Sequence, residues 1–162
     1  MIYPANFEQR VGFDRIRGQI IDACSMQSSR EMIAQESFTH SRTKVEERLQ
    51  LADEMRLMIM MEPGADIGEQ DDIRDIVDKL SVEGSYLTAE ECATLSRSLR
   101  LAASIVNFVL SRKEGSYPAL QQLTRRVEIF PHLQAAIERV IDDKGEVRSS
   151  ASPELSQIRR SI

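Results

Sequence analysis

TAEECATLSRSLRLAASIVNFVLSRKEG, residues 88–115, is the stretch whose reading decides the fold. It opens on Thr88-Ala89-Glu90-Glu91, in which a cap hydroxyl and a carboxylate three residues later can each take the other's free backbone amide, a capping box. Cys92, Leu95, Leu99, Ala102, Val106 and Val109 follow at spacings of three and four, so one apolar stripe runs along a helix. Arg97, Arg100, Ser104, Asn107 and Ser111 fall on the opposite face, and Gly115 stops the run.

The same period extends outward in both directions. Downstream, Tyr117-Pro118 begins a short helix through Leu120 and Leu123 to about Val127. Pro131 suits the first position of another, which carries Leu133, Ala136, Ile137, Val140 and Ile141 and ends in the turn Asp142-Asp143-Lys144-Gly145. Ser152-Pro153-Glu154 is then a strong helix start, and Leu155, Ile158 and Ile162 begin a new apolar seam. No Gly or Asn follows that seam, so the helix is expected to run on and the chain to be a piece of a longer one.

Upstream, Asp72 is expected to cap a short helix bearing Ile73, Ile76, Val77 and Leu80, closed by Gly84. Before it, Thr43-Lys44-Val45-Glu46 reads as a second capping box, opening a long helix with the stripe Val45, Leu49, Ala52, Met55 and Ile59, which Pro63-Gly64 ends. Its last turns, Leu57 to Met61, are apolar all round and need more than one partner. A short helix after Ser28 or Ser29 carries Met32 and Ile33, and a first run after Asn6 carries Phe13, Ile16, Ile20 and Cys24, with Gly12 a possible break.

Composition agrees with an all-α fold. The 162 residues are 41% hydrophobic and 29% charged with only 5% aromatic residues, no Trp, seven Gly and five Pro, a balance of helix formers with few turn residues. The net charge of −5 argues against a free-standing nucleic-acid binder, which needs a surplus of cations. Charge is uneven: Glu62 to Glu91 holds ten acids against Arg74 and Lys79, a net of −8, which leaves +3 on the rest. Neither a leader-like start nor an apolar run near membrane-spanning length occurs, so a cytoplasmic protein without membrane partners is expected.

Catalytic chemistry finds little to stand on. His40 and His132 are isolated, and Cys24 and Cys92 sit on apolar stripes as buried thiols would. No Gly-x-x-x-x-Gly-Lys loop cradles a phosphate, no Gly-x-Ser-x-Gly elbow presents a nucleophile, and the acidic segments lack the alternation of a calcium loop. Arg10, Arg15 and Arg17, Arg97 and Arg100, Arg125 and Arg126, and Arg159 and Arg160 form basic clusters that read as solvated faces. Arg159 and Arg160 alone, on the outer side of the unfinished seam, are candidates for a nucleic-acid backbone.

Several segments in order resemble the bacterial MutS-two branch of the MutS family. They are Met1-Ile2-Tyr3-Pro4 with Asn6-Phe7-Glu8, Gly12-Phe13-Asp14-Arg15-Ile16-Arg17, Glu83-Gly84-Ser85-Tyr86-Leu87, Tyr117-Pro118-Ala119-Leu120, Gly145-Glu146-Val147, Ala151-Ser152-Pro153-Glu154-Leu155 and Ile158-Arg159-Arg160. None is a catalytic signature, and no catalytic, cofactor or metal residue of the family carries over. The resemblance implies a helical core at 1–148 and, at 149–162, the start of a lever helix. It implies a parent that is a homodimeric ATPase using ATP and Mg, acting on branched DNA or ribosomes, and often ending in an Smr nuclease domain.

The resulting expectation is an irregular multi-helix bundle whose Leu155, Ile158, Ile162, Met58, Met60 and Met61 meet the rest of the parent chain. The alternative is a free-standing helical regulator that holds a protein partner, which requires a well-docked last helix. A helical enzyme is the third reading and requires a polar cleft.

Overall fold

The computed structural model describes residues 6–65, 68 and 70–160. Among them the regular elements are helices: α1 (Phe7–Arg10), α2 (Phe13–Ala23), α3 (Gln27–Ala34), α4 (Arg42–Met61), α5 (Arg74–Leu80), α6 (Ala89–Leu110), α7 (Pro118–Thr124), α8 (Pro131–Val140) and α9 (Pro153–Arg160), with a 3-10 turn at Ser149–Ala151. One antiparallel bridge, Ile141 to Val147, is isolated and builds no sheet. The all-α reading therefore holds. Asp66, Ile67 and Glu69 of the acidic stretch from Glu62 to Glu91, Met1-Ile2-Tyr3-Pro4, and Ile162 lie outside the described residues.

The chain divides into two compact units, Met1–His40 and Ser41–Ile162. The division falls before α4.

In the first unit, Gly12 takes a left-handed φ of +74°, which separates α1 from α2 as the sequence suggested. Phe38 packs edge-on against Phe7 and tilted against Phe13, with ring centroids 5.7 and 5.2 Å apart. Arg17 lies over Phe13, pairs with Glu8 at 2.7 Å and donates to the Glu36 carbonyl. None of the described residues of α1, α2 or α3 is buried. Cys24 ends α2 half-buried, and Ile16 and Ile20 are exposed, so the expected stripe is not a core face within this unit.

In the second unit, α6 follows the sequence closely. Thr88 and Glu91 exchange both hydrogen bonds of the capping box, at 3.2 and 2.7 Å. Leu95, Val106 and Val109 are buried, and the polar residues from Arg97 to Ser111 named above are exposed. Cys92 is half-buried, and burial pushes its thiol pKa up. Pro118, Pro131 and Pro153 each occupy the first position of their helices.

Helix α4 corrects the reading twice. Its cap is Ser41, whose hydroxyl accepts from the Lys44 amide, and Glu46 pairs with Arg42 instead of closing a box at Thr43. Its inner face is Leu51, Glu54, Met55 and Met58, while Val45, Leu49 and Ile59 of the expected stripe are exposed. The reason is α7. The core cluster is Met58, Val109, Tyr117 and Leu120, and α7 brings the last two onto the α4 face that also offers Glu54.

Candidate functional site

The polar groups that fix this bundle are built from the inside outward. Glu54, 7% exposed, accepts the amides of Ala119 at 3.1 Å and Leu120 at 2.9 Å, so a carboxylate of α4 caps the start of α7. These are amides that a helix leaves unpaired at its N-terminus, and the positive end of the helix favours an anion there. Glu62, just past α4, takes the Tyr117 hydroxyl at 3.1 Å and Arg112 at 2.9 Å. Burial first, and then Glu62, raises the Tyr117 pKa. Gln121, buried, accepts from the Gly115 amide and donates to the Arg112 and Lys113 carbonyls, closing the turn between α6 and α7.

A second set joins α6, α8 and the start of α9. Glu138 of α8 accepts from Gln134, from Arg100 at 2.7 Å and from Ser96. These bonds, Gln134 first and Arg100 next, hold its carboxyl below the usual range. Arg100 also reaches Asp143 at 2.9 Å; Asp143 and Glu138 together raise the Arg100 pKa. Asp142 accepts the amides of Lys144 and Glu146, each at 2.9 Å, which shapes the expected turn and lowers the Asp142 pKa. Gly145 has φ +82°, and a Cβ there would stand 3.1 Å from the Glu90 Cα, so the turn is pressed against the first turn of α6. Arg148 donates from Nε to the Glu138 carbonyl at 2.7 Å and the Ile141 carbonyl at 3.3 Å. Beyond it, Ser152 caps α9 by accepting from the Leu155 amide at 3.1 Å, and Arg159 donates to the Ser149 hydroxyl at 3.0 Å.

The contact candidates fall into distinct environments. Met58 is 3% exposed and belongs to the core, so it is a packing residue of this unit; Met60 and Met61 are 67% and 71% exposed. Leu155 is half-buried and Ile158 is 58% exposed, and no residue described in α9 is buried. Helix α4 packs against α7, and α9 against the 3-10 turn. Arg160 is exposed, whereas Arg159 is held by Ser149. Other basic residues read as solvated face have acidic partners: Arg97 meets Asp71 and Arg125 meets Glu114.

Glu54, Glu138 and Arg148 escaped the sequence reading. Each is a charged residue beside apolar ones, a signal shared with any solvated position, and only the fold reveals which carbonyl or amide it faces. Among the described residues no group of three His, Cys, Asp or Glu stands close enough to hold a metal ion. The groove between α4 and α7, lined by Gln50, Leu51, Ala119 and Leu123 with Glu47 and Arg126, has no His, Cys, Ser, Thr or Lys in its lining. No helix among the described residues is long and apolar enough to cross a membrane.

No known family profile matches the chain. No solved structure matches it either. Curated relatives do. The endonuclease MutS2 of Thermomicrobium roseum is 31% identical over 152 residues, which is 93% of this chain and 19% of that protein. The endonuclease MutS2 of Pelotomaculum thermopropionicum is 35% identical over 109 residues, 67% of this chain and 14% of that protein. That of Symbiobacterium thermophilum is 39% identical over 79 residues, 49% of this chain and 9% of that protein. The chain spans less than a fifth of the length of these relatives, and over nearly all of its own length it is a MutS2-like segment of the MutS family.

Proposed function

We propose that this segment is a non-catalytic mechanical core of a MutS-family protein, which transmits the nucleotide state of an ATPase domain to a DNA-embracing clamp through the helix that begins at Pro153. The observation that carries the reading is the state of α9: it is capped and anchored at its base, yet none of its described residues is buried and its seam residue Ile158 is exposed. A free-standing regulator requires a last helix docked on the bundle, and a helical enzyme requires a cleft with convergent reactive groups.

In this proposal ATP and Mg belong to the parent protein, as do homodimerisation and the substrate, branched DNA or a ribosome. The name and length of the relatives support a longer MutS2-like parent, and the cofactors, dimer and substrate follow from the family resemblance alone. Leu155 and Ile158, with Met60 and Met61, meet the rest of the parent chain, and Arg159 and Arg160, both exposed, face a nucleic-acid backbone.

The test uses the full-length parent with fluorophores on Ser104 of α6 and on Gln157 of α9. Adding ATP is expected to change the transfer efficiency between them or between Gln157 and the clamp. Equal efficiencies at both pairs with and without nucleotide would overturn the coupling role.

A further inference from the structure

We propose that Arg148 is the positioning residue of this segment: it locks the direction in which α9 leaves the bundle, and so sets the resting angle of the lever. This deepens the coupling reading and rests on it.

A helix ends with carbonyls that have no partner within it. Two of these at the end of α8, with the carbonyl of Ile141 just past it, go to one residue. The Arg148 amide donates to the Val140 carbonyl at 2.8 Å, and its Nε–H is shared by the carbonyls of Glu138 and Ile141. A cation is favoured at this negative end of the helix dipole. The residue that closes α8 also opens the next element, because the Arg148 carbonyl accepts from the Ala151 amide and starts the 3-10 turn. That turn packs on α8 and carries α9, which Arg159 ties to Ser149.

Upstream, the turn at Asp142–Gly145 is fixed to α6 at two points, Asp143 on Arg100 and Gly145 against Glu90. One path from α6 to α9 therefore runs through the Asp142–Gly145 turn and then through Arg148, beside the direct packing of α6 on α8 and of α8 on the 3-10 turn. Sequence distance hides this, since Arg148 and Glu138 stand ten residues apart with no periodic relation.

Arg148 can act this way without being a stability centre. It is exposed, where a hydrogen bond lost to the protein is regained with water and the net contribution to stability is small. Losing it should free an angle more than it melts a core.

The experiment is a spin-label distance measurement without nucleotide, in the full-length parent with Cys24→Ser and Cys92→Ala as background and labels at Ser104 and Gln157. Cysteines elsewhere in the parent are replaced as well. Arg148→Met keeps the aliphatic stem and removes the side-chain donor while the backbone bonds remain, whereas Arg148→Gln again places an N–H at the ε position. We expect one narrow distance distribution for the unaltered residue, a distribution roughly twofold broader for Arg148→Met, and a narrower one again for Arg148→Gln, with helix content unchanged throughout. A distribution for Arg148→Met that matches the unaltered protein overturns the proposal. So does broadening that appears only together with lost helix content, because Arg148 would then hold up the fold and not the angle. Since no ATP is present, a negative result here leaves the nucleotide test of the coupling role standing on its own.

Discussion

Glu54 shows how one buried charge organises a helix pair. Its two oxygens take the first free amides of α7, so Glu54→Ala leaves one buried and one half-buried donor without their carboxylate and is expected to cost about 2–3 kcal/mol in urea unfolding. Glu54→Gln keeps one acceptor and is expected to cost about half as much, by the same reasoning. An Ala variant as stable as the parent would mean that water replaces the cap. Glu138 gives a pH prediction. Its folded pKa lies below the ordinary value, so the carboxylate stabilises the fold above its unfolded pKa, and that contribution is lost as pH falls through the folded one. The midpoint of urea unfolding should therefore decline below the usual glutamate range, and Glu138→Gln should flatten that decline. Neither residue was legible beforehand, because a one-dimensional pattern records that a Glu sits near apolar neighbours and not which amide or guanidinium it meets. The caps at Thr88 and Ser152 were legible, since both partners lie within three residues.

At the scale of the element, α6 and α4 teach opposite lessons. Helix α6 has one apolar and one polar face, so its period points to its core unaided. Helix α4 has apolar residues on two faces, Leu51, Met55 and Met58 on one and Val45, Leu49 and Ile59 on the other, and period alone cannot choose between them. Buried Glu54 in fact lies on the core side, against the ordinary expectation that carboxylates face water. The choice is testable by a pair of truncations. Met58→Ala is expected to cost about 2–4 kcal/mol, and Leu49→Ala within about 0.5 kcal/mol of nothing, in chemical unfolding. Equal costs would restore the stripe that the sequence suggested.

At the scale of the whole molecule, the two units differ in what holds them. Ser41–Ile162 has a buried cluster drawn from α4, α6 and α7, whereas the described helices of Met1–His40 bury no residue and are joined by aromatic contacts and Arg17. A piece of about 40 residues without a disulfide or metal seldom folds alone. Residues 41–162 made separately are expected to keep cooperative thermal unfolding, and residues 1–40 to give a random-coil circular dichroism spectrum. A folded spectrum for 1–40 would show that the aromatic cluster suffices. The sequence revealed neither the division at His40, for want of a glycine-rich linker, nor the anchoring of α9. It did reveal the helical class and the family likeness, which rest on local chemistry and order. Cys92 adds a practical consequence of the half-buried face of α6. A shielded thiol with a raised pKa has little thiolate at neutral pH, so it reacts slowly with a maleimide or disulfide reagent until its surroundings part. Its modification rate is thus a native stopwatch for breathing of this face, readable by mass spectrometry without any engineered probe.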